Sequence, residues 1–154
     1  MTTHQPTVIT NDNLYDQDFY LWIETICKQL KAGKFAEIDL ANLIEEIESM
    51  GKSEKRELKS RLIVLLMHLL KWQYQPEKRN ESWRSTIIEQ RICIELLLED
   101  SPSLQPLLIE IFADCYEKAR LKASEETGIK LNFSSCQILT FKRASLEILT
   151  GVVW

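Results

Sequence analysis

The 154-residue sequence predicts an all-α fold, a compact bundle of about five helices around a central apolar helix. Three observations predict this class. Apolar residues recur at three- and four-residue steps over long stretches, as they do along one face of a helix. Glycine and proline number only four each, too few for the many turns of an all-β fold. The segment Leu62–Tyr74 is apolar almost all round, so it needs cover on several sides and belongs at the centre.

Two helices are predicted before that centre. Apolar periodicity predicts a first helix from about Leu14 to Ala32, and Gly33 supplies the residue that a C-terminal cap prefers. A short second helix is predicted from Asp39 and is expected to end at Gly51. Its apolar residues should face inward; they are Leu40, Leu43, Ile44 and Ile47.

The third helix is the central one. Ser53 is its expected N-cap, and Pro76 ends it at about Gln75, because the residue before a proline disfavours the helical region. Its first half, Ser53–Arg61, is charged and expected to face solvent, whereas the second half forms the core.

Two further helices and an extension complete the expected order. The fourth helix is predicted over Ser82–Glu99, and the fifth follows the capping pair Ser101-Pro102 and ends at Gly128. A last short helix is expected at Phe141–Leu149. The predicted organisation is a flexible N-terminal tail over residues 1–13, a helical domain over residues 14–128 and a C-terminal extension over residues 129–154.

Composition and charge indicate where the protein works. The longest apolar run falls short of the ~18 residues that a membrane span needs, and residues 1–10 lack the features of a signal peptide. Four widely separated cysteines without C-x-x-C spacing are typical of free thiols, so a cytoplasmic protein with no membrane partner is expected.

The basic middle, residues 51–91, carries a net charge of +5 and could attract nucleic acid. Neutralisation by the preceding glutamates is the favoured interpretation, because Glu54 and Glu57 interrupt the basic residues.

A series of longer motifs is similar to those of a known family. In chain order these are Leu14–Phe19, Asn42–Gly51, His68–Pro76, Ser82–Arg84, Glu89–Arg91, Asp100–Leu104 and Glu125–Gly128. Together they resemble the bacterial family called domain of unknown function 29, which is abundant in cyanobacteria. The resemblance covers about Leu14–Gly128, and it implies a helical fold and no settled activity. Beyond Gly128 the sequence departs from the family, since the basic pair Lys142-Arg143 stands where an acidic end is expected.

Arg61 and His68 are the weak catalytic candidates. They lie seven residues apart, two helical turns, so they project from one face. The spacing is similar to the Arg–His motif of the HEPN class of helical ribonucleases, in which a histidine acts as general acid or base and an arginine holds phosphate. The alternative is structural, with His68 hydrogen-bonded inside a packed helix and Arg61 paired with a glutamate.

A metal site between the second and third helices would draw on Glu45, Glu48 and His68. Di-metal bundles use Glu-x-x-His pairs one turn apart, but Leu65 occupies the position three residues before His68. No metal and no cofactor are therefore expected, and pairing of the glutamates with basic residues is the favoured interpretation.

A cluster of aromatic and arginine residues flanks the turn at Pro76, and its members are Trp72, Tyr74, Trp83, Arg84 and Arg91. These residue types dominate interface hot spots, so the cluster is a candidate binding surface, although aromatic residues that wedge the turn would give the same pattern. No established catalytic motif stands in the sequence. The prediction is a non-catalytic interaction or assembly module with a protein partner or self-association. The alternative is a helical RNA-binding or RNA-cleaving module of toxin–antitoxin type that uses Arg61 and His68.

Overall fold

Five α-helices and no strand form the secondary structure of residues 11–130, which are the residues that the computed structural model describes. The helices are α1 (Asn11–Gln17), α2 (Phe19–Lys31), α3 (Leu40–Tyr74), α4 (Glu81–Asp100) and α5 (Gln105–Thr127). Single 3-10 turns lie at Phe35–Glu37, Pro76–Lys78 and Pro102–Leu104. The predicted all-α class is confirmed. The expected helix at Phe141–Leu149 lies outside the described residues.

The chain forms two compact units, Met1–Gly51 and Lys52–Trp154. In the first unit, three buried side chains make a small apolar cluster: Leu14, Trp22 and Ile26. Tyr15, Ile38 and Leu43 pack against this cluster and are themselves half-buried. A core of this size covers only one side of the helices that carry it.

The predicted first helix is divided at Asp18 into α1 and α2. The Asp18 backbone is extended at φ −150°, and its Oδ1 accepts a hydrogen bond of 2.9 Å from the Leu21 amide, so it caps the N-terminus of α2. Apolar periodicity continues through this residue, which is why one helix was expected. The end of α2 is as predicted, with Gly33 in the left-handed region at φ +69°.

The prediction of two helices separated at Gly51 was wrong. α3 is continuous over 35 residues from Leu40 to Tyr74, and Ser53 lies within it and not at an N-cap. A helical glycine costs only about 0.5–1 kcal/mol relative to alanine, whereas a break would leave the backbone groups of two new helix ends without helical partners. Gly51 has no positive φ, so it needs no turn.

The second unit has its core around the α3 segment from Leu58 to Leu70. Five leucines of this segment are fully buried: Leu58, Leu62, Leu65, Leu66 and Leu70. The same core includes Ile87 and Ile94 of α4 and Phe112, Cys115, Tyr116 and Ala119 of α5. Within this unit the prediction of a central apolar helix is confirmed, and the buried stretch begins one turn before the predicted Leu62.

The boundaries of α4 and α5 lie close to their predicted positions. Asn80 caps α4 through a 2.9 Å bond from the Trp83 amide to its Oδ1. Pro106 falls in the first turn of α5, where a missing amide hydrogen is tolerated. α5 ends at Gly128, whose φ of +72° is the predicted left-handed cap. None of the helices in residues 11–130 has the length and apolar character that a membrane crossing requires.

Candidate functional site

Arg61 and His68, the catalytic candidates, are each held by other groups. Arg61 Nε lies 2.8 Å from Glu57 Oε1, and Nη1 lies 3.5 Å from Gln90 Oε1 on α4. The hydrogen bond to Glu57 raises the pKa of Arg61. His68 Nδ1 lies 2.9 Å from the Val64 carbonyl, one turn back along α3, and the side chain is half-buried. Neither set of bonds joins the two residues, and the catalytic assignment stays a prediction.

The aromatic and arginine cluster around Pro76 is partly packed into the second unit. Trp72 and Tyr74 contact its core, and burial raises the pKa of Tyr74. Trp83 is half-buried, Arg91 is half-buried, and Arg84 is exposed with Nη1 3.8 Å from a Glu81 carboxylate oxygen. Its role as a binding surface is still a prediction.

Two cations beside these aromatic rings were missed in the sequence. Arg79 lies over the Trp72 ring at 5.1 Å, and its Nε donates a 2.7 Å bond to the Trp72 carbonyl. Lys71 Nζ lies 4.6 Å from the centre of the Trp83 ring and 2.7 Å from Glu126 Oε2. The Lys71 side chain is only 9% exposed. A lysine inside an apolar helical run was the available signal, because such a residue needs a partner when it is buried.

An open apolar groove lies in the first unit between α2 and the first turns of α3. Its volume is about 380 Å³. The residues that line it are Phe19, Trp22, Ile23, Ile26, Cys27 and Leu30 of α2 and Leu43, Glu46, Ile47 and Met50 of α3. Glu46 is the one charged residue of this lining. The groove is therefore suited to an apolar occupant.

Hydrogen bonds to carboxylates fix the wall of this groove. Tyr15 donates a 2.5 Å bond to Glu46 Oε1, which raises the pKa of Tyr15 to about 12. Trp22 Nε1 donates to Asp39 Oδ2 at 3.1 Å, and Asn42 Nδ2 donates to the same oxygen at 2.7 Å. The bonds from Asn42 are the main reason that the pKa of Asp39 is lowered. These bonds order the first turns of α3 relative to α1 and α2 without filling the groove.

The sides of α2 and α3 that line the groove are largely open. Of the lining residues, Phe19, Ile23, Leu30, Ile47 and Met50 are exposed, with Met50 the most exposed at 68%. Leu40 and Ile44, which were also expected to face inward, are exposed and are not among the residues that line the groove. Of the α3 residues expected to face inward, Leu43 and Ile47 line the groove, so periodicity identified this face only in part. It carried no information on whether this chain supplies a cover for that face.

A second exposed apolar stripe lies on α4 in the other unit. Ile88, Ile92 and Leu96 follow one another at four-residue steps, and each is exposed. Unlike the groove, this stripe lies along a single helix. It is the competing surface for any apolar partner.

Ligands for a metal ion are not gathered in the described part of the chain, where no three His, Cys, Asp or Glu side chains form such a group.

The described cysteines are free thiols: Cys27 is exposed, Cys93 is half-buried and Cys115 is buried. Burial raises the pKa of the Cys115 thiol. Cys27 is the exposed thiol among these three, and it lines the groove.

Comparison with known proteins gives one family. The family whose description reads domain of unknown function DUF29 matches residues 14–147, most of the chain. The match extends past Gly128, where the resemblance seen in the sequence ended. No curated protein and no solved structure matches the chain.

Proposed function

For this chain, which belongs to the family described as domain of unknown function DUF29, we propose a role as a non-catalytic interaction or assembly module. Its docking surface is the α2–α3 groove. The observation that carries this proposal is the open apolar lining of the groove, described above.

The energetic argument concerns exposed apolar area. Each Å² of apolar surface removed from water is worth roughly 25 cal/mol, so an open groove is a source of binding free energy. Soluble monomers seldom expose contiguous apolar patches beyond a few hundred Å², and larger patches mark interaction sites. The Tyr15–Glu46 and Trp22–Asp39 bonds support the same proposal, because they order the groove before any partner arrives.

The test uses the apolar dye bis-ANS and light scattering on the full chain. If the native chain is monomeric, its dye fluorescence should fall when Ile47→Lys places a charge in the groove. Otherwise the native chain should be oligomeric, with the groove already covered. Ile109→Lys on α5 is the matched control, since Ile109 is 56% exposed and Ile47 is 59% exposed. A strictly monomeric chain that binds no dye would overturn the proposal.

The second candidate function is an RNA-binding or RNA-cleaving module that uses Arg61 and His68. Because a carbonyl oxygen can only accept, His68 Nδ1 donates to Val64, and Nε2 is the ring nitrogen that this bond does not engage and that a general acid or base would use. This candidate ranks second because Arg61 already pairs with Glu57. Cleavage of mixed RNA by the native chain should be lost in His68→Ala, with far-UV circular dichroism to confirm folding. Equal cleavage by both proteins would remove His68 from the assignment.

A further inference from the structure

We propose that the occupant of the α2–α3 groove is the same groove of a second copy of this chain. The two copies would pair as a symmetric dimer. This inference rests on the proposed function and names its partner. All the residues that line the groove belong to the first unit, so the pairing surface is a property of that unit alone.

The exposed apolar area matches what a dimer of this kind buries. Five large apolar residues that line the groove are between 38% and 68% exposed, namely Phe19, Ile23, Leu30, Ile47 and Met50. At about 200 Å² for a fully exposed residue of this size, they present roughly 500 Å². A standard protein interface buries about 800 Å² on each partner, and about 65% of a homodimer interface is apolar. The groove is therefore large enough to support a stable pair.

Charge permits two copies of this surface to meet. Residues 14–51 carry eight acidic and three basic side chains, so a random approach of two first units would be repulsive. Within the groove, however, the single charged residue is Glu46, and its carboxylate accepts the hydroxyl of Tyr15. Groove-to-groove contact thus avoids placing the bulk of these carboxylates against one another.

Symmetry and helix number point to the same occupant. In a two-fold dimer the same patch serves both copies, and this requires a self-complementary surface. Two helices that share an uncovered apolar face gain cover on that face when a second such pair packs against them, which yields a four-helix arrangement. The small core of the first unit, Leu14, Trp22 and Ile26, would then be continued across the interface.

The experiment measures the mass of the full chain in solution by light scattering and analytical ultracentrifugation over a range of concentrations. The native protein should show a dimer, twice the chain mass of 18.0 kDa. Ile47→Lys should raise the dissociation constant by about 10-fold or more, because a buried lysine disrupts an apolar contact. Ile109→Lys, matched in residue type and exposure, should leave it unchanged. Ile92→Lys tests the α4 stripe, and it should also leave the dissociation constant unchanged. Circular dichroism verifies that each variant is folded.

Thiol cross-linking locates the interface independently. Cys27 is exposed and lines the groove, so a short bismaleimide should join two native copies through this residue. Cys27→Ser should lose the covalent dimer, whereas Cys93→Ser should retain it.

The outcomes separate this inference from the proposed function. A monomeric chain whose groove still binds bis-ANS would overturn the second copy as occupant and would leave the interaction module standing. A dimer that Ile92→Lys dissociates and Ile47→Lys does not would also overturn the groove pairing, because assembly would then use α4. A monomer that binds no dye would overturn both.

Discussion

Leu66 and Ile47 are chemically similar residues that differ in their burial in this protein. Both are aliphatic side chains on α3, yet Leu66 is fully buried and Ile47 is 59% exposed. Leu66 contributes to the core of the second unit, whereas Ile47 lines the open groove of the first. The same residue chemistry therefore stabilises the fold at one position and offers binding free energy at the other.

Leu66→Ala should destabilise the protein by about 2–5 kcal/mol, the range for large-to-small changes at fully buried positions. The cause is the loss of apolar contacts together with the cavity that remains. Urea unfolding followed by circular dichroism measures it. Leu121→Ala is the control, because Leu121 is exposed and its truncation should change stability by less than about 0.5 kcal/mol. A loss below about 1 kcal/mol for Leu66→Ala would contradict the central position of this helix segment.

Tyr15 gives a pH-dependent prediction. Its pKa is raised to about 12 chiefly by the hydrogen bond to Glu46, so folding favours the neutral phenol. The stability that this hydrogen bond gives the folded state is fully present below the unfolded pKa of about 10, and it is lost as pH rises through about 12. Tyr15→Phe should therefore be less stable than the native chain at neutral pH, and this difference should shrink above pH 10.

Near-UV absorbance follows tyrosinate formation and checks the assignment directly. Tyr116 also titrates near pH 12, because burial raises its pKa. Compared with the native chain, Tyr15→Phe should show one tyrosine fewer that titrates near pH 12. In Glu46→Gln the same group should titrate at lower pH. An unchanged titration in Glu46→Gln would show that the Tyr15–Glu46 bond does not form in solution.

At the scale of the element, α3 is the helix that departs most from expectation. The residue pattern changes along it, and Gly51 lies between an amphipathic stretch and a charged one. The sequence pattern predicts a helix end at this glycine. In the structure it is an interior residue, and a Cβ added to it would meet no heavy atom of another residue within 4 Å beyond its own helix backbone and chain neighbours.

Gly51→Ala should raise the free energy of unfolding by about 0.5–1 kcal/mol, because alanine restricts the unfolded chain and suits a helix interior. Gly128→Ala is the control. It also has open space around the added methyl group, but its φ of +72° makes any side chain strained, so it should destabilise. Thermal melts measured by circular dichroism compare the two variants. Destabilisation by Gly51→Ala would indicate that α3 is broken at this residue.

At the scale of the whole molecule, each unit is stabilised differently. The first unit has a small apolar cluster supplemented by hydrogen bonds to Glu46 and Asp39. The second has an extensive core, and Lys71 connects its three helices through Glu126 on α5 and the Trp83 ring on α4. A buried ammonium group with these two partners fixes the packing of α5 beside α3.

Glu126→Gln should lower stability by about 1–2 kcal/mol, because it leaves the Lys71 ammonium group without its carboxylate in a buried position. Glu117→Gln is the matched control. The two glutamates are 49% and 50% exposed, but Glu117 pairs with Arg120 on the same helix. Such local surface pairs contribute less than about 1 kcal/mol. If urea unfolding shows the same loss of unfolding free energy in both variants, the burial of Lys71 adds nothing to the stability that its ion pair contributes.

Part of the candidate site could be read from the sequence. The apolar periodicity of α2 and the inward assignment of Leu43 and Ile47 on α3 agree with the groove lining, and the glycine ends of α2 and α5 were also identified. The exposure of the groove was missed, because periodicity describes one helix at a time and contains no information about its neighbours. The bonds of Arg61 to Glu57 and of His68 to the Val64 carbonyl are of the kind that the structural alternative expected, but spacing alone could not choose between that alternative and catalysis.

The sequence by itself determined the all-α class, the apolar centre of α3 and the family, because these follow from local periodicity, scarce glycine and proline, and ordered motifs. The tertiary structure decided the rest. Asp18 breaks a periodic run and Gly51 does not, since capping and packing outweigh local propensity at both positions. Whether an apolar face is core or surface depends on the area that the surrounding helices can cover. In the second unit they cover the core leucines of α3, and in the first they leave a groove open.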